Sequence, residues 1–377
     1  MDRIYLDTNA TSPLAPAVKS WLAKGDFIFA NPASQHTSGK KSAFALDEVR
    51  DFLFSLYQLD QKKFDLFFHS GATEAVNTFA LSGAHDSNTL FVYAPTDHAC
   101  VRMQKDRFKN SFELKINKEG DLLLEESIQG IKAFNLHNIL LNFTWVHNET
   151  GVVWPLSLAQ TLKEQTGALI HVDAPQTIGK IKDWHQLSDL LDMYSFSSHK
   201  CGALKNHGWS FVRKKTLTPL ILGGGQQSKL RSGTENTMGA QALMLALHEL
   251  HQNWKPETAQ TLMQEIRVFI DHALQGVGSR VSAQARELNT NTVLFYFDRI
   301  PSDQTLPLFD LAGLELSSGA ACSSGAAKES HVLGALGIKA SAKNALRLSL
   351  NWDFSAADWA KLQPRLSQVI EKIKAKS

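Results

Sequence analysis

Strand-length apolar runs alternate with helical segments through the first two thirds of the chain, and that alternation constrains the fold more than any other feature of the sequence. Candidate strands occupy residues 64–68, 89–94, 139–146, 168–173, 193–197 and 209–212. Several are almost wholly apolar, as a strand must be when helices cover both faces of its sheet. Between them Ala43, Leu46, Val49, Leu53 and Leu56 recur at spacings of three and four and mark one face of an amphipathic helix. A second helix is expected over 158–166, stopped by Gly167, which can take the left-handed cap conformation. The pattern reads as βαβ units with right-handed crossovers, and hence as an α/β fold built on a mostly parallel sheet.

From about residue 240 the pattern changes to a long helical stretch and then to isolated strands at 292–297 and 345–350, the mark of a smaller α+β domain. A length of 377 residues supports two domains, since one averages about 150. The expected division puts residues 15–245 in the large domain and 1–14 with 246–377 in the small one.

Lys and Arg number 39 against 37 Asp and Glu, so at a net charge of +2 no bulk electrostatic footprint for nucleic acid or anionic lipid exists. The first residues lack the apolar run of a secretory signal, and no window approaches 18 uninterrupted apolar residues. A cytoplasmic protein without membrane contact is therefore expected. Cys100, Cys201 and Cys322 are an odd number at spacings of roughly a hundred residues, which fits neither a disulfide framework nor a metal site. A cysteine that matters here matters as a free thiol.

Residues 67–76 read as a strand, the small-residue turn Ser70-Gly71-Ala72-Thr73 and a helix start. Such a turn offers backbone N–H groups and hydroxyls to a phosphate, although an ordinary capped helix reads the same way. More specific is the strand 168–173, which delivers Asp173 at its C-terminal end, while the next strand runs into Ser198-His199-Lys200. An acid and an amine leaving successive strands on one rim suit pyridoxal 5'-phosphate. Lys200 would form its Schiff base, and Asp173 would keep the pyridine nitrogen protonated so that the ring serves as an electron sink. Taken singly, Asp173 reads more simply as a helix cap and Lys200 as a solvated loop lysine.

A series of short motifs extends this reading over nearly the whole chain. They are Tyr5-Leu6-Asp7 with Ala10-Thr11, Asn31-Pro32-Ala33-Ser34 with His36 and Gly39, Ser70-Gly71-Ala72-Thr73-Glu74, and Asn148-Glu149 with Gly151. Then follow His171-Val172-Asp173 with Gln176, Ser195-Phe196-Ser197 with His199-Lys200, Arg231-Ser232-Gly233-Thr234, Ser318-Gly319-Ala320-Ala321-Cys322 and Arg347-Leu348-Ser349-Leu350. In this order they resemble the pyridoxal-phosphate-dependent cysteine desulfurases of the class V aminotransferase superfamily. The resemblance implies a fold type I, aspartate aminotransferase-like transferase and a homodimer.

By that resemblance Lys200 would carry the cofactor, Asp173 hold its ring nitrogen and Gln176 bond its phenolic oxygen. His98 would stack on the ring and shuttle protons. Thr73, Ser197 and His199 would hold the phosphate, with Thr234 reaching it from the neighbouring subunit. Arg347, helped by Asn148, would grip the substrate carboxylate. Cys322 lies among small residues, from Ser317 to Ala327, and would be the nucleophile that takes sulfur from L-cysteine as a persulfide, releasing L-alanine. The sulfur would then pass to an acceptor protein, such as an iron–sulfur scaffold or a tRNA-thiolation factor. Cys100, two residues after His98, and Cys201, directly after Lys200, could lie near the site, yet neither occupies a nucleophile position of the family and both read as packing residues.

The chain departs from the family in Ala203-Leu204-Lys205-Asn206, where Gly-Pro-Lys-Gly is usual, in Thr8-Asn9 of the opening motif, in His147, and in Gln227 and Lys229. Asn in place of the last glycine is the substitution that best tolerates a left-handed backbone. The competing expectations are a selenocysteine lyase, a class V aminotransferase that would not need Cys322, and a non-catalytic scaffold relative. A Rossmann dehydrogenase is disfavoured because no Gly-x-Gly-x-x-Gly follows the first strand.

Overall fold

The computed structural model describes residues 2–319, 330–338 and 343–375. The chain opens with the short strand β1 (Ile4–Tyr5), then α1 (Pro16–Lys24) and α2 (Thr37–Tyr57). The alternating region follows as β2 (Phe64–His69), α3 (Ala72–Ala84), β3 (Thr89–Tyr93), α4 (Ala99–Arg102), β4 (Asn110–Glu113), α5 (Leu124–Lys132), β5 (Asn138–Thr144), α6 (Leu156–Thr166), β6 (Leu169–Asp173), β7 (Met193–Ser197) and β8 (Gly208–Arg213). The rest is α7 (Thr237–Asn253), α8 (Pro256–Ala273), β9 (Gly278–Arg280), β10 (Thr292–Phe297), α9 (Ser302–Leu311), β11 (Leu314–Glu315), β12 (Ser317–Ser318), α10 (His331–Ala335), β13 (Ala345–Ser349) and α11 (Ala356–Lys374).

Every strand expected from the sequence is present, with ends differing by no more than two residues. Gly167 caps α6 at φ +70, as its position foretold. The seven strands β2 to β8 form one sheet in the order β2-β8-β7-β6-β5-β3-β4. All neighbours run parallel except β8, which is antiparallel to both β2 and β7. Residues 198–207 between β7 and β8 are too few for a crossover, so the chain turns back on itself. The strand β4 escaped the sequence reading because Asn110-Ser111-Phe112-Glu113 alternates exposed and half-buried side chains at the sheet edge instead of forming an apolar run.

A second sheet of four antiparallel strands, β12-β13-β10-β9, buries Val293, Phe295, Leu346 and Leu348 against Met263, Ile266, Leu362 and Leu366 of α8 and α11. Helix α7 packs on the core of the large sheet through Ala242, Leu243, Leu247 and Leu250. The N-terminal segment links the two sheets. Its β1 pairs with β11, Asp7 bridges to Ser349 of β13, and from Asn9 onward it crosses to the C-terminal rim of the large sheet. His69, Thr144, Asp173 and Ser197 all end strands at that rim, where open α/β sheets hold their ligands.

Candidate active site

The turn after β2 is the first component. Gly71 sits at φ +153, a backbone region open to glycine, and a Cβ there would approach Ser197 Oγ at 3.6 Å. The Ala72 N–H donates to Ser197 Oγ at 2.9 Å, so the end of β7 and the start of α3 are tied together. Glu74 in the first turn of α3 accepts the Ser70 N–H at 2.9 Å and pairs with Arg231 at 3.1 Å. The positive end of the α3 dipole thus opens into a cavity of about 530 Å³, which Ser70, Gly71, Thr73, Ser197 and His199 line. Such an arrangement of N–H groups and hydroxyls is able to hold an anion. His199 is kept neutral there, its pKa lowered to about 4 by burial and by the positive charges of Lys200, Lys205 and Lys180.

Asp173 enters the same cavity from the end of β6, and Lys200 enters from the 3₁₀ turn 198–200 after β7. Oδ1 of Asp173 is buried with no hydrogen-bond partner. Burial pushes the carboxyl up to about 7; Asp97 adds to the rise and Lys200 opposes it. A desolvated, half-unsatisfied carboxylate facing a cavity fits a cationic N–H donor in a ligand. Lys200 Nζ donates to the carbonyls of Asn9 and Ala10, which hold the amine at the cavity wall.

Behind Asp173 a buried polar row crosses the sheet. Asp97 accepts from Thr144 Oγ1 at 2.6 Å and Asn142 Nδ2 at 3.2 Å; Asn142 Oδ1 meets His171 Nδ1 at 2.7 Å, and His171 Nε2 meets Ser195 Oγ at 2.7 Å. Ser210 then links Ser195 at 2.9 Å to His69 at 2.8 Å, and His69 Nδ1 accepts the Gly71 N–H at 3.2 Å. The row runs from Asp97 to the turn at Gly71. It is invisible in the sequence, because its members are single polar residues inside otherwise apolar strands.

His98 caps α4, its Nδ1 accepting the Cys100 N–H at 3.2 Å, and it lines the cavity. Burial, with Lys200 and His331 nearby, lowers its pKa to about 4, so the ring is neutral at physiological pH. Cys100 packs as the sequence suggests and also lies near the site. It packs on the cluster around Phe79 and Val101, yet it also lines the cavity, because the first turn of α4 carries it round to the side of the His98 ring. Cys201 is a packing residue, fully enclosed, with its thiol donating to the Ser198 carbonyl at 3.2 Å and its pKa pushed up to about 12 by burial.

Gln176 and Asn148 line the cavity, with Gln176 Nε2 donating to the Asn9 carbonyl at 3.0 Å. Arg347 is buried beside it. Its Nη2 pairs with Asp7 at 2.7 Å, its Nη1 donates to the Asn148 carbonyl at 3.1 Å, and its Nε has no partner. Thr234 is exposed and stands apart from the cavity of its own chain. Lys205 and Asn206 of the altered loop line it, and Asn206 takes the left-handed φ of +57 that its side chain tolerates. Cys322 lies outside the described residues. The sequence reading missed Asn9, Asp97 and Lys180; only Asn9 had left a sign, as an unusual residue in the opening motif.

The Aminotransferase class-V family matches residues 4–362. A cysteine desulfurase of Cereibacter sphaeroides is 33% identical over the whole of this chain and 98% of its own length. That of Gluconacetobacter diazotrophicus is 31% identical over the whole of this chain and 96% of its own. Among solved structures, a NifS-like protein from Rickettsia africae covers 98% of this chain and 99% of its own at 24% identity and a TM-score of 0.87, a likeness of fold. No helix among the described residues is long and apolar enough to cross a membrane. A family match over 359 of 377 positions, with relatives of this identity aligned end to end, makes the chain a member of the class V aminotransferase family, among its cysteine desulfurases.

Proposed function

We propose that this desulfurase uses pyridoxal 5'-phosphate held by Asp173, Lys200 and the Ser70–Thr73 turn, takes sulfur from L-cysteine, and stores it as a persulfide on Cys322. The observation that supports the reading is that Asp173, whose buried Oδ1 has no partner, lines the same cavity as Lys200. When bound, the cofactor supplies an electron sink for the pair left as the amino acid loses its Cα proton.

The chain's own groups then have defined work. The turn before α3, with Thr73, Ser197 and His199, binds the phosphate; Asp173 retains a proton on the ring nitrogen; and Gln176 donates to the phenolic oxygen. The Lys200 amine accepts the Cα proton, for which it must be uncharged, and neutral His98 stacks on the ring and carries protons near the substrate. Arg347 receives the substrate carboxylate by exchanging its bond to Asp7 for the ligand, with Asn148 beside it. The Cys322 thiolate attacks the substrate sulfur, breaking its bond to Cβ, and the carbon fragment leaves as L-alanine after protonation.

The proposal includes a homodimer in which Thr234 of one subunit completes the phosphate site of the other, a cytoplasmic location, and an acceptor protein for the sulfur. It also includes the division into a cofactor-holding domain over 15–245 and a domain of 1–14 plus 246–377 that carries Cys322. The test is a visible absorbance band on the purified protein, abolished by Lys200→Ala, together with added sulfur on Cys322 by mass spectrometry and alanine in solution after L-cysteine. A colourless protein that takes up no cofactor would overturn it, and full desulfurase turnover by Cys322→Ala would reassign the nucleophile.

A further inference from the structure

Lys180 follows Gly179 in the turn after β6 and is enclosed by the fold. Its Nζ has no carboxylate partner among the described residues, and burial, together with the positive charges of Lys200 and Arg347, holds its pKa well below the usual lysine range. Burying such a group is costly unless fixed dipoles replace water. Two amide oxygens do so: Nζ donates to Asn9 Oδ1 at 3.0 Å and to Gln176 Oε1.

The orientation of both amides is settled by carbonyls, which can only accept. Asn9 Nδ2 donates to the Asn148 carbonyl at 3.0 Å, which turns Asn9 Oδ1 towards Lys180. Gln176 Nε2 donates to the Asn9 carbonyl at 3.0 Å, which turns Gln176 Oε1 towards Lys180 as well. That same Asn9 carbonyl accepts from Lys200 Nζ. Lys180 therefore closes a ring of bonds, Lys180 to Gln176 to the Asn9 backbone and back through the Asn9 side chain, with Lys200 bonded to one corner.

We infer that Lys180 is a positioning residue of the cofactor site: it locks the Gln176 amide with its donor side towards the cavity and anchors the Asn9 carbonyl that holds Lys200. It touches neither cofactor nor substrate. Rotation of the Gln176 amide would set its oxygen against the Asn9 carbonyl and take the acceptor away from Lys180 Nζ, so Oε1 stays on Lys180 and the N–H groups are what Gln176 has to offer elsewhere. The inference rests on the proposed cofactor and deepens that reading, because a locked donor suits an oxygen anion on the ligand.

The test uses holoenzyme of the wild type, Lys180→Met, Gln176→Ala and the double variant, each shown folded by its melting curve. Wild-type loading with pyridoxal 5'-phosphate checks the underlying function; the variants check Lys180. Two quantities are read: the rate of cofactor release on dilution into a scavenger, and the pH midpoint of the cofactor's absorbance change. Lys180→Met is expected to raise the release rate roughly tenfold, the size of one lost hydrogen bond to a charged group, and to move the midpoint. In the Gln176→Ala background the same substitution should add little, since the group it acts through is gone. Lys180→Gln, which keeps one donor and serves if the methionine variant does not fold, should recover part of the midpoint shift. An unchanged release rate and midpoint in Lys180→Met, or a full tenfold loss again on top of Gln176→Ala, would overturn the inference.

Discussion

Cys100 Sγ lies 3.0 Å from His98 Nδ1, a nitrogen that already accepts the Cys100 backbone N–H. An Nδ1 that accepts cannot also carry the ring proton, so the proton is on Nε2 and the sulfur must be the donor. Burial and the neighbouring Asp173 raise the thiol pKa well above its usual range, against the opposing hydrogen bond from Thr73. A thiol held protonated is a poor nucleophile.

The first prediction follows from that geometry. After incubation with L-cysteine, peptide mass spectrometry should find added sulfur on Cys322 and none on Cys100 or Cys201, although Cys100 lines the cavity. Cys100→Ser, which keeps a donor to Nδ1, should turn over within a few fold of the wild type, and Cys100→Ala should lose about another factor of five, one modest hydrogen bond. Persulfide on Cys100 would refute the assignment.

A second prediction concerns Asp173. Its carboxyl is raised from 3.8 to about 7 in the folded chain without cofactor, first by burial and then by Asp97. A raised pKa means the folded state binds the proton more tightly than the unfolded one. The associated stability is complete below about 4 and is lost as the pH rises through about 7. Three units correspond to an effect on the order of 4 kcal/mol. Cofactor-free Asp173→Asn should therefore melt several degrees higher than cofactor-free wild type at pH 8 and about equally at pH 4. The same variant should retain the cofactor poorly and lose at least about a hundredfold in turnover, a typical loss for a group that controls proton position. Coincident melting of the two at pH 8 would remove the basis for a carboxylate awaiting a partner.

The sheet was legible because strands covered on both faces must be largely apolar, and residues 64–68, 139–146 and 193–197 show that bias despite single polar residues within them. Asp173 and Lys200 stand out for a related reason: Asp173 closes one such run and Lys200 lies three residues beyond the next. Lys180 was not, since a lysine after glycine in a turn looks solvated, and only the return of the N-terminal segment across the rim encloses it. Asn9 was seen as odd but not as a hub, because its partners Asn148, Lys180, Asn291 and Thr292 lie more than a hundred positions away. Spacing from His98 puts Cys100 near the site, but it does not say which side of a one-turn helix meets the cavity.

Gly208 gives a third prediction, about stability. It starts β8 where that strand crosses the turn before α3, and a Cβ there would stand 2.6 Å from the Phe196 carbonyl oxygen and 2.9 Å from Gly71 Cα. Both obstacles are backbone, so neither can rotate aside. Gly208→Ala should cost about 3 kcal/mol, at the upper end of overpacking penalties, and should weaken cofactor retention because the displaced Gly71 belongs to the proposed phosphate-binding turn. Denaturant titration and cofactor release measure the two effects; a wild-type midpoint would show that the turn yields more easily than its geometry implies.

Glu149 gives the fourth. Its Oε2 accepts a hydrogen bond from Ser330 Oγ at 3.0 Å, and Gly319 passes so close that a Cβ there would lie 3.3 Å from the same oxygen. Gly319 and Ser330 flank the stretch of sequence that contains Cys322, so one buried carboxylate meets both of its stems. Ser330 in turn caps α10 by accepting the Leu333 N–H. Burial raises the Glu149 carboxyl to about 7, with Arg347 and the Ser330 bond pulling the other way. Glu149→Ala should leave the stems unfastened, reducing persulfide formation on Cys322 by about tenfold, the order of one buried hydrogen bond and its lost packing, while cofactor loading stays as in the wild type. Glu149→Gln keeps an accepting oxygen and should restore most of the rate. Because the raised pKa makes the native carboxyl's stability contribution fade as pH climbs from 4.5 through about 7, the glutamine variant should also show a flatter pH dependence of melting over that range. Equal losses of cofactor and of persulfide in Glu149→Ala would place the residue's effect in the cavity instead of at the stems.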